Sequence, residues 1–261
     1  MLKLYRQPRY YDIAFTHDRD IERETAFIRA CFTRHARIPV STVLEAACGS
    51  GMFLVGFPRY GYRITGYDIS EEMVEYAREA ILHHGVHDKA EAVVGDMRTI
   101  RFDRVFDAAL TLISSLSYCL SDEDLHAHFQ NMAMTVRHGG VYIVEIFFAC
   151  SDLAYEKLPC ESWTVERENL RIDVSWMLDR YDLKRKTRHI NLNMDVQDNG
   201  MRFAIREAHC LRLWFQDDFR EFCRIGGFRI DGVYDQAFRP IPLHTPLTGE
   251  LGALYLVLVK E

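Results

Sequence analysis

At 261 residues with 48% hydrophobic content, the chain can bury a full core as one large domain, or as one domain with an inserted cap, and disorder is not expected. Its net charge of −6 and its short basic runs, such as Lys184-Arg185-Lys186, leave no electrostatic footprint for nucleic acid, so a small neutral or cationic partner is expected instead. The 7 cysteines are odd in number and include no Cys-x-x-Cys, the Met1 to Arg6 start has no apolar signal core, and no apolar run is long enough to span a bilayer. A reduced, cytoplasmic chain that does not enter a membrane is expected on those grounds, with a homodimer left open.

In chain order, Asp18 to Phe32 places Ile21, Thr25, Ile28 and Phe32 at helical spacing, after a Tyr10-Tyr11-Asp12 run. An apolar strand from Thr42 then enters Glu45-Ala46-Ala47-Cys48-Gly49-Ser50-Gly51. Two glycines after a strand let the backbone turn tightly and approach a ligand closely. Gly56 and Pro58 shorten or kink the helix that follows, because proline lacks a backbone donor and clashes with the preceding turn. A second strand, Arg63 to Tyr67, ends in Asp68-Ile69-Ser70, about twenty residues beyond the glycines, where a carboxylate can accept hydrogen bonds from ribose hydroxyls. Ser70 caps a helix with Met73, Ala77 and Ile81 on one face and Gly85 as its stop. His83, His84 and His87 near that stop read as solvated, since no carboxylate or cysteine is in register to complete a metal site.

A third strand, Ala90 to Val94, ends in Gly95-Asp96-Met97, an acid and an apolar side chain suited to an adenine amine and ring. Asp107 to Leu112 is a fourth strand. Ser121 opens a helix ending at Gly139-Gly140, and Val141 to Phe147 is a fifth, near-continuously apolar strand. Strands alternating with helices imply a doubly wound, mostly parallel α/β sheet, with ligands bound beyond the carboxyl ends of its strands.

From about Ala149 the period becomes two: Ile172 to Leu178, Ile190 to Val196 and Phe203 to Leu213 alternate, with Asp198-Asn199-Gly200 as a tight turn. These runs form an antiparallel cap, residues 150–214 of a single domain spanning 1–261. A returning helix, Asp217 to Arg224, and strands Phe228 to Val233 and Ala253 to Val259 close the chain. Glu207 and His209 interrupt the apolar face of the last cap strand, either satisfying each other or facing a substrate as base or amine anchor. Arg206 and Arg212 take the opposite face, paired with acids or able to clamp an anion.

Gly-x-Gly after the first strand and acids closing the second and third resemble the class I S-adenosylmethionine-dependent methyltransferases. Leu44 to Gly51 is similar to that family's Leu-Asp-x-Gly-Cys-Gly-Thr-Gly pattern, and the Ala-Cys-Gly variant resembles small-molecule N-methyltransferases acting on glycine or nucleotide-linked aminosugars. The resemblance implies a Rossmann-like sheet whose last strand is antiparallel, S-adenosyl-L-methionine as cofactor, and a small-molecule methyl acceptor, an amine nitrogen in preference to oxygen. It also implies that Tyr11, as a lid, with Glu45, Ala47, Gly49, Gly51, Asp68, Ile69, Asp96, Met97 and Leu112 contact the cofactor. Tyr118 then faces the substrate as a catalytic candidate beside His209 and Glu207. The competing readings are a nicotinamide-dependent oxidoreductase, disfavoured because Leu54 stands where a third glycine belongs, and a non-catalytic cofactor-binding or partner-binding protein.

Overall fold

The computed structural model describes residues 2–150 and 160–261. Residues 151–159 of the expected cap lie outside the described residues. Six α-helices and eleven strands occur in the order α1 (Pro8–Phe15), α2 (Ile21–His35), β1 (Thr42–Ala46), α3 (Met52–Gly56), β2 (Arg63–Asp68), α4 (Glu71–His83), β3 (Ala90–Val94), β4 (Phe106–Thr111), α5 (Asp122–Thr135), β5 (Val136–Phe147), β6 (Cys160–Arg167), β7 (Leu170–Asp182), β8 (Thr187–Asp198), β9 (Met201–Arg212), α6 (Gln216–Ile225), β10 (Phe228–Tyr234) and β11 (Ala253–Lys260) among the described residues.

Seven strands form one sheet in the order β10-β11-β5-β4-β1-β2-β3, and β6-β7-β8-β9 form a second sheet. In the first, β3, β2, β1, β4 and β5 are parallel, while β11 enters antiparallel between β5 and β10. Because strand side chains alternate, this sheet has two apolar faces. Val43, Ile143 and Val257 pack with Ile28, Leu54 and Ala77 from α2, α3 and α4. Leu44, Val144 and Leu256 pack on the other face with Phe129 of α5 and Phe219 of α6. The doubly wound architecture expected from the sequence is therefore observed.

Tyr10, Tyr11 and Asp12 belong to a helix, α1, with Pro8 in its first turn. One local expectation changes. The helix before β5 ends at Thr135 rather than at Gly139-Gly140, because Val136 already pairs with Phe106 in the sheet. The shortening expected after the glycine turn is present: α3 passes directly into a 3-10 turn at Phe57–Tyr60 with Pro58 in it.

The second sheet is antiparallel throughout. Its apolar face, with Ile172, Val174, Leu192, Met194 and Ile205, packs on Leu4, Tyr10, Ile13 and Ala14 of the N-terminal segment. Polar bonds fix that contact: the Trp163 indole N–H donates to the Ala14 carbonyl at 2.7 Å, and Tyr10 donates to Asp198 at 3.0 Å. The N-terminal segment is thus held over the carboxyl ends of the parallel strands by the cap.

Candidate active site

A cleft of about 810 Å³ opens at those strand ends, lined by the N-terminal segment, the turns after β1 to β4, the end of β5 and one end of the cap. Ala47 and Gly49, both with φ near +53°, carry the chain around the turn after β1. The turn is pinned to the next strand, since the Asp68 carboxylate accepts from the Gly49 N–H at 3.0 Å and from the Ser70 N–H at 2.9 Å. Burial pushes the Asp68 carboxyl above its ordinary range, and those backbone donors pull it back. Ile69 beside it is 57% exposed and lines the same cleft.

Asp96 and Met97 close the far wall. The Arg98 side chain, with its own N–H, holds the Asp96 carboxylate below the usual range, and Arg98 also bonds Asp124 at 3.0 Å. From beneath, the Met97 carbonyl accepts from Asn131 at 3.3 Å and sits 3.2 Å from Nδ1 of the buried His128.

Opposite lies a polar cluster that sequence reasoning missed. Arg19 bonds Glu24, Glu145 and Tyr255, and the Ile113 N–H donates to Glu145 at 2.8 Å. Ile113 and Ser114 are both left-handed, with φ of 52° and 53°, a strained pair at the exit of β4. Only that strain is local in sequence. The cluster joins residues from the α1–α2 turn, α2, β5 and β11, and no spacing rule connects them.

The third wall carries the catalytic candidates. Tyr118 lines the cleft, and its hydroxyl lies 2.6 Å from that of Tyr5 and 2.8 Å from His209 Nδ1. His209 Nε2 lies 3.1 Å from Glu207 Oε1, and Glu207 also accepts from the Lys3 N–H at 2.6 Å and the Leu4 N–H at 3.1 Å. Glu207 is therefore an acceptor, which puts the His209 ring proton on Nε2 and leaves Nδ1 to accept from Tyr118. Burial lowers the affinity of His209 for a second proton, against the opposing pull of Glu207. Burial likewise raises the Tyr118 phenol above its ordinary value.

Of the residues singled out from sequence, Tyr11, Ala47, Gly49, Asp68, Ile69, Asp96, Met97 and Tyr118 meet in this cleft. The others are placed elsewhere. Glu207 and His209 stand behind Tyr118, the His209 side chain being fully enclosed. Leu112 is buried in the core beneath the sheet end. Glu45 is buried at 4% exposure, and burial drives its carboxyl well above the ordinary range. Gly51, at φ 82°, faces α4: a Cβ there would come within 2.7 Å of Ala77 Cβ, so its missing side chain makes room for a helix. Arg206 pairs with Asp195 on the outside, and the buried Arg212 pairs with Asp122. His83, His84 and His87 are exposed.

Residues 43–140 match the family described as a methyltransferase domain. The chain is 33% identical over 105 residues to dTDP-3-amino-3,4,6-trideoxy-alpha-D-glucopyranose N,N-dimethyltransferase of Streptomyces venezuelae, a match covering 40% of this chain and 42% of that protein. It is 30% identical over 131 residues to dTDP-3-amino-3,6-dideoxy-alpha-D-glucopyranose N,N-dimethyltransferase of Streptomyces fradiae, covering 49% and 47%. The chain thus spans less than half the length of these relatives. Among solved structures, an S-adenosylmethionine-dependent methyltransferase from Clostridium acetobutylicum superposes with a TM-score of 0.78 at 18% identity, over 97% of this chain and 96% of that one. DesVI of Streptomyces venezuelae superposes with a TM-score of 0.78 at 21% identity, over 97% of each chain. No helix among the described residues is long and apolar enough to cross a membrane.

Proposed function

We propose that this chain, which belongs to the class I S-adenosylmethionine-dependent methyltransferase family, transfers a methyl group from S-adenosyl-L-methionine to an amine nitrogen of a small molecule. The observation that carries the reading is that one cleft brings together Asp68, which still has lone pairs for a ribose diol, and the Tyr118 hydroxyl backed by His209 and Glu207. The donor set fits the cofactor. Asp68 would take the ribose hydroxyls, Ile69 and Met97 the faces of the adenine, Asp96 its amine, and the turn at Ala47 and Gly49 with Arg19 and Tyr11 the amino-acid end. When bound, S-adenosyl-L-methionine supplies an electrophilic methyl on a sulfonium.

The protein's part is alignment, exclusion of water and removal of one proton. An amine that arrives protonated has no lone pair to attack with. Tyr118 takes that proton on its hydroxyl oxygen as it passes its own to His209 Nδ1, so the phenol never carries charge and the proton rests on the imidazole. The neutral amine would then have a lone pair for the methyl that bound S-adenosyl-L-methionine supplies, and the product would keep its remaining N–H bonds as a methylated ammonium. Enclosure favours this order, because it keeps His209 neutral and ready to accept. The buried thiols of Cys31, Cys48, Cys119 and Cys223 suit a cytoplasmic enzyme.

The test is production of S-adenosylhomocysteine from S-adenosyl-L-methionine with a panel of primary and secondary amines and matched alcohols. Turnover with amines and none with alcohols supports the reading. Cofactor binding without turnover on any amine overturns it.

A further inference from the structure

One end of the cap sheet forms a recess of the cleft. Glu161 of β6 lies directly opposite Trp176 of β7, and Trp163 is two residues further along β6, so the three share a face. All three line the cleft together with Phe15 and Phe147. The Phe15 ring packs edge-on against Trp163 at 5.3 Å and Trp176 at 6.2 Å, so the three rings form one aromatic wall of the cleft they line. They are also held in place. The Trp163 N–H is bonded to Ala14, and the Trp176 ring lies 4.8 Å from that of His209. Trp176 and Tyr118 pack against the same Leu178, Ile190 and Leu211 cluster, which sets the recess beside the Tyr118 hydroxyl.

Charge narrows what the recess can take. Among the described residues, seven carboxylates and four arginines line the cleft, and no lysine does. Arg19 is held between Glu24 and Glu145, and Arg98 between Asp96 and Asp124. Arg23 stacks on Phe238 with 5.1 Å to the ring centroid, and the Arg188 guanidinium lies 6.0 Å from the Phe147 centroid. A nucleoside diphosphate calls for several converging cations or backbone donors, whereas a cation with an apolar body gains from ring faces and a nearby carboxylate.

Building on the amine-methylation reading, we propose that the acceptor is a cationic amine with an apolar body and no phosphate, seated among Trp163, Trp176 and Phe15 with its charge toward Glu161. The relatives named above act on dTDP-linked aminosugars by their names, so this separates the present chain from them in acceptor class.

The probe is benzyltrimethylammonium, which carries the charge and the ring but has no nitrogen lone pair to methylate. Its binding is followed by quenching of tryptophan fluorescence, with and without S-adenosylhomocysteine, and Trp214 contributes a constant background because it is fully buried. Saturable quenching in the parent is expected, with affinity about tenfold weaker in Glu161→Gln and in Trp176→Leu. The S-adenosylhomocysteine affinity should be unchanged in both variants. Glu161 is exposed, so its glutamine variant keeps the test independent of folding. Thymidine diphosphate that displaces the probe, or a Glu161→Gln protein that binds it as tightly as the parent, would overturn the proposal. Failure of the methylation reading has a different signature: no S-adenosylhomocysteine formed from any amine, whatever occupies the recess.

Discussion

The Tyr118 hydroxyl stands 2.8 Å from Nδ1 of a histidine, His209, whose own side chain has no solvent access. On the proposed reading His209 exchanges a proton with the cleft through Tyr118, as a positioning and proton-holding residue rather than one that touches substrate. Tyr118→Phe should lower kcat on the order of 10²-fold with cofactor affinity unchanged, because the phenyl ring preserves packing and removes the proton path. His209→Ala should lower kcat similarly and also alter the pH profile. The imidazole must be neutral to accept, and burial holds its affinity for a proton below the ordinary value of 6.5, so the acidic limb of kcat in the parent should lie below that pH. An unchanged limb in His209→Ala would sink this assignment.

Asp68 ties the glycine turn and, on the proposed reading, also takes the ribose, and its variants can separate the two. It bonds Gly49 across the turn and also lines the cleft. Asp68→Asn keeps the size of the side chain but offers one acceptor oxygen where there were two. S-adenosylmethionine binding by calorimetry should weaken by at least about tenfold, as expected for loss of charge-assisted hydrogen bonds. Asp68→Ala should weaken it further and also lower the melting temperature, since the turn loses its tie. Affinity equal to the parent in both variants would remove Asp68 from the cofactor site.

What could be read in advance follows a physical division. Strands buried on both faces appear as apolar runs, and their polar terminations stand out, so Asp68, Asp96 and the Gly49 turn were visible. The absence of a third glycine was legible as well. Leu54 occupies that place, and the close approach is met from the neighbouring strand by Gly66, where a Cβ would come within 2.7 Å of Leu54 Cδ1. The alternation of Glu207 and His209 on a cap strand was legible, but whether that face meets ligand or the N-terminal backbone depends on how the cap docks, which periodicity does not encode. Arg19, Glu24, Glu145 and Tyr255 were invisible for a related reason: Tyr255 bonds Glu24 across 231 positions of sequence.

Gly51 provides a test of a glycine that serves packing. Its φ of 82° and the 2.7 Å approach of a Cβ to Ala77 both oppose a side chain. Gly51→Ala should destabilise the fold by about 2 to 4 kcal/mol, from left-handed strain and overpacking together. Ala77→Gly in the same chain should recover the packing part but not the strain. A melting temperature that Gly51→Ala leaves unchanged would return Gly51 to the list of ligand-facing positions.

His128 ties the floor of the cleft to pH. It is completely buried between the Met97 carbonyl and the Tyr142 hydroxyl, which lies 2.8 Å from Nε2, and burial lowers its pKa from 6.5 to about 4. Between those two values the unfolded chain binds a proton that the folded chain does not, so stability falls as pH drops through that window. Above 6.5 neither state holds the proton, and this group makes stability independent of pH. The loss should approach about 1.4 kcal/mol per pH unit within the window, superimposed on the contributions of the carboxylates. His128→Gln cannot titrate but can still donate to Met97, so urea unfolding at pH 7 and pH 4.5 should show a smaller difference for the variant than for the parent. Equal differences would mean that His128 is not the buried neutral group this geometry requires.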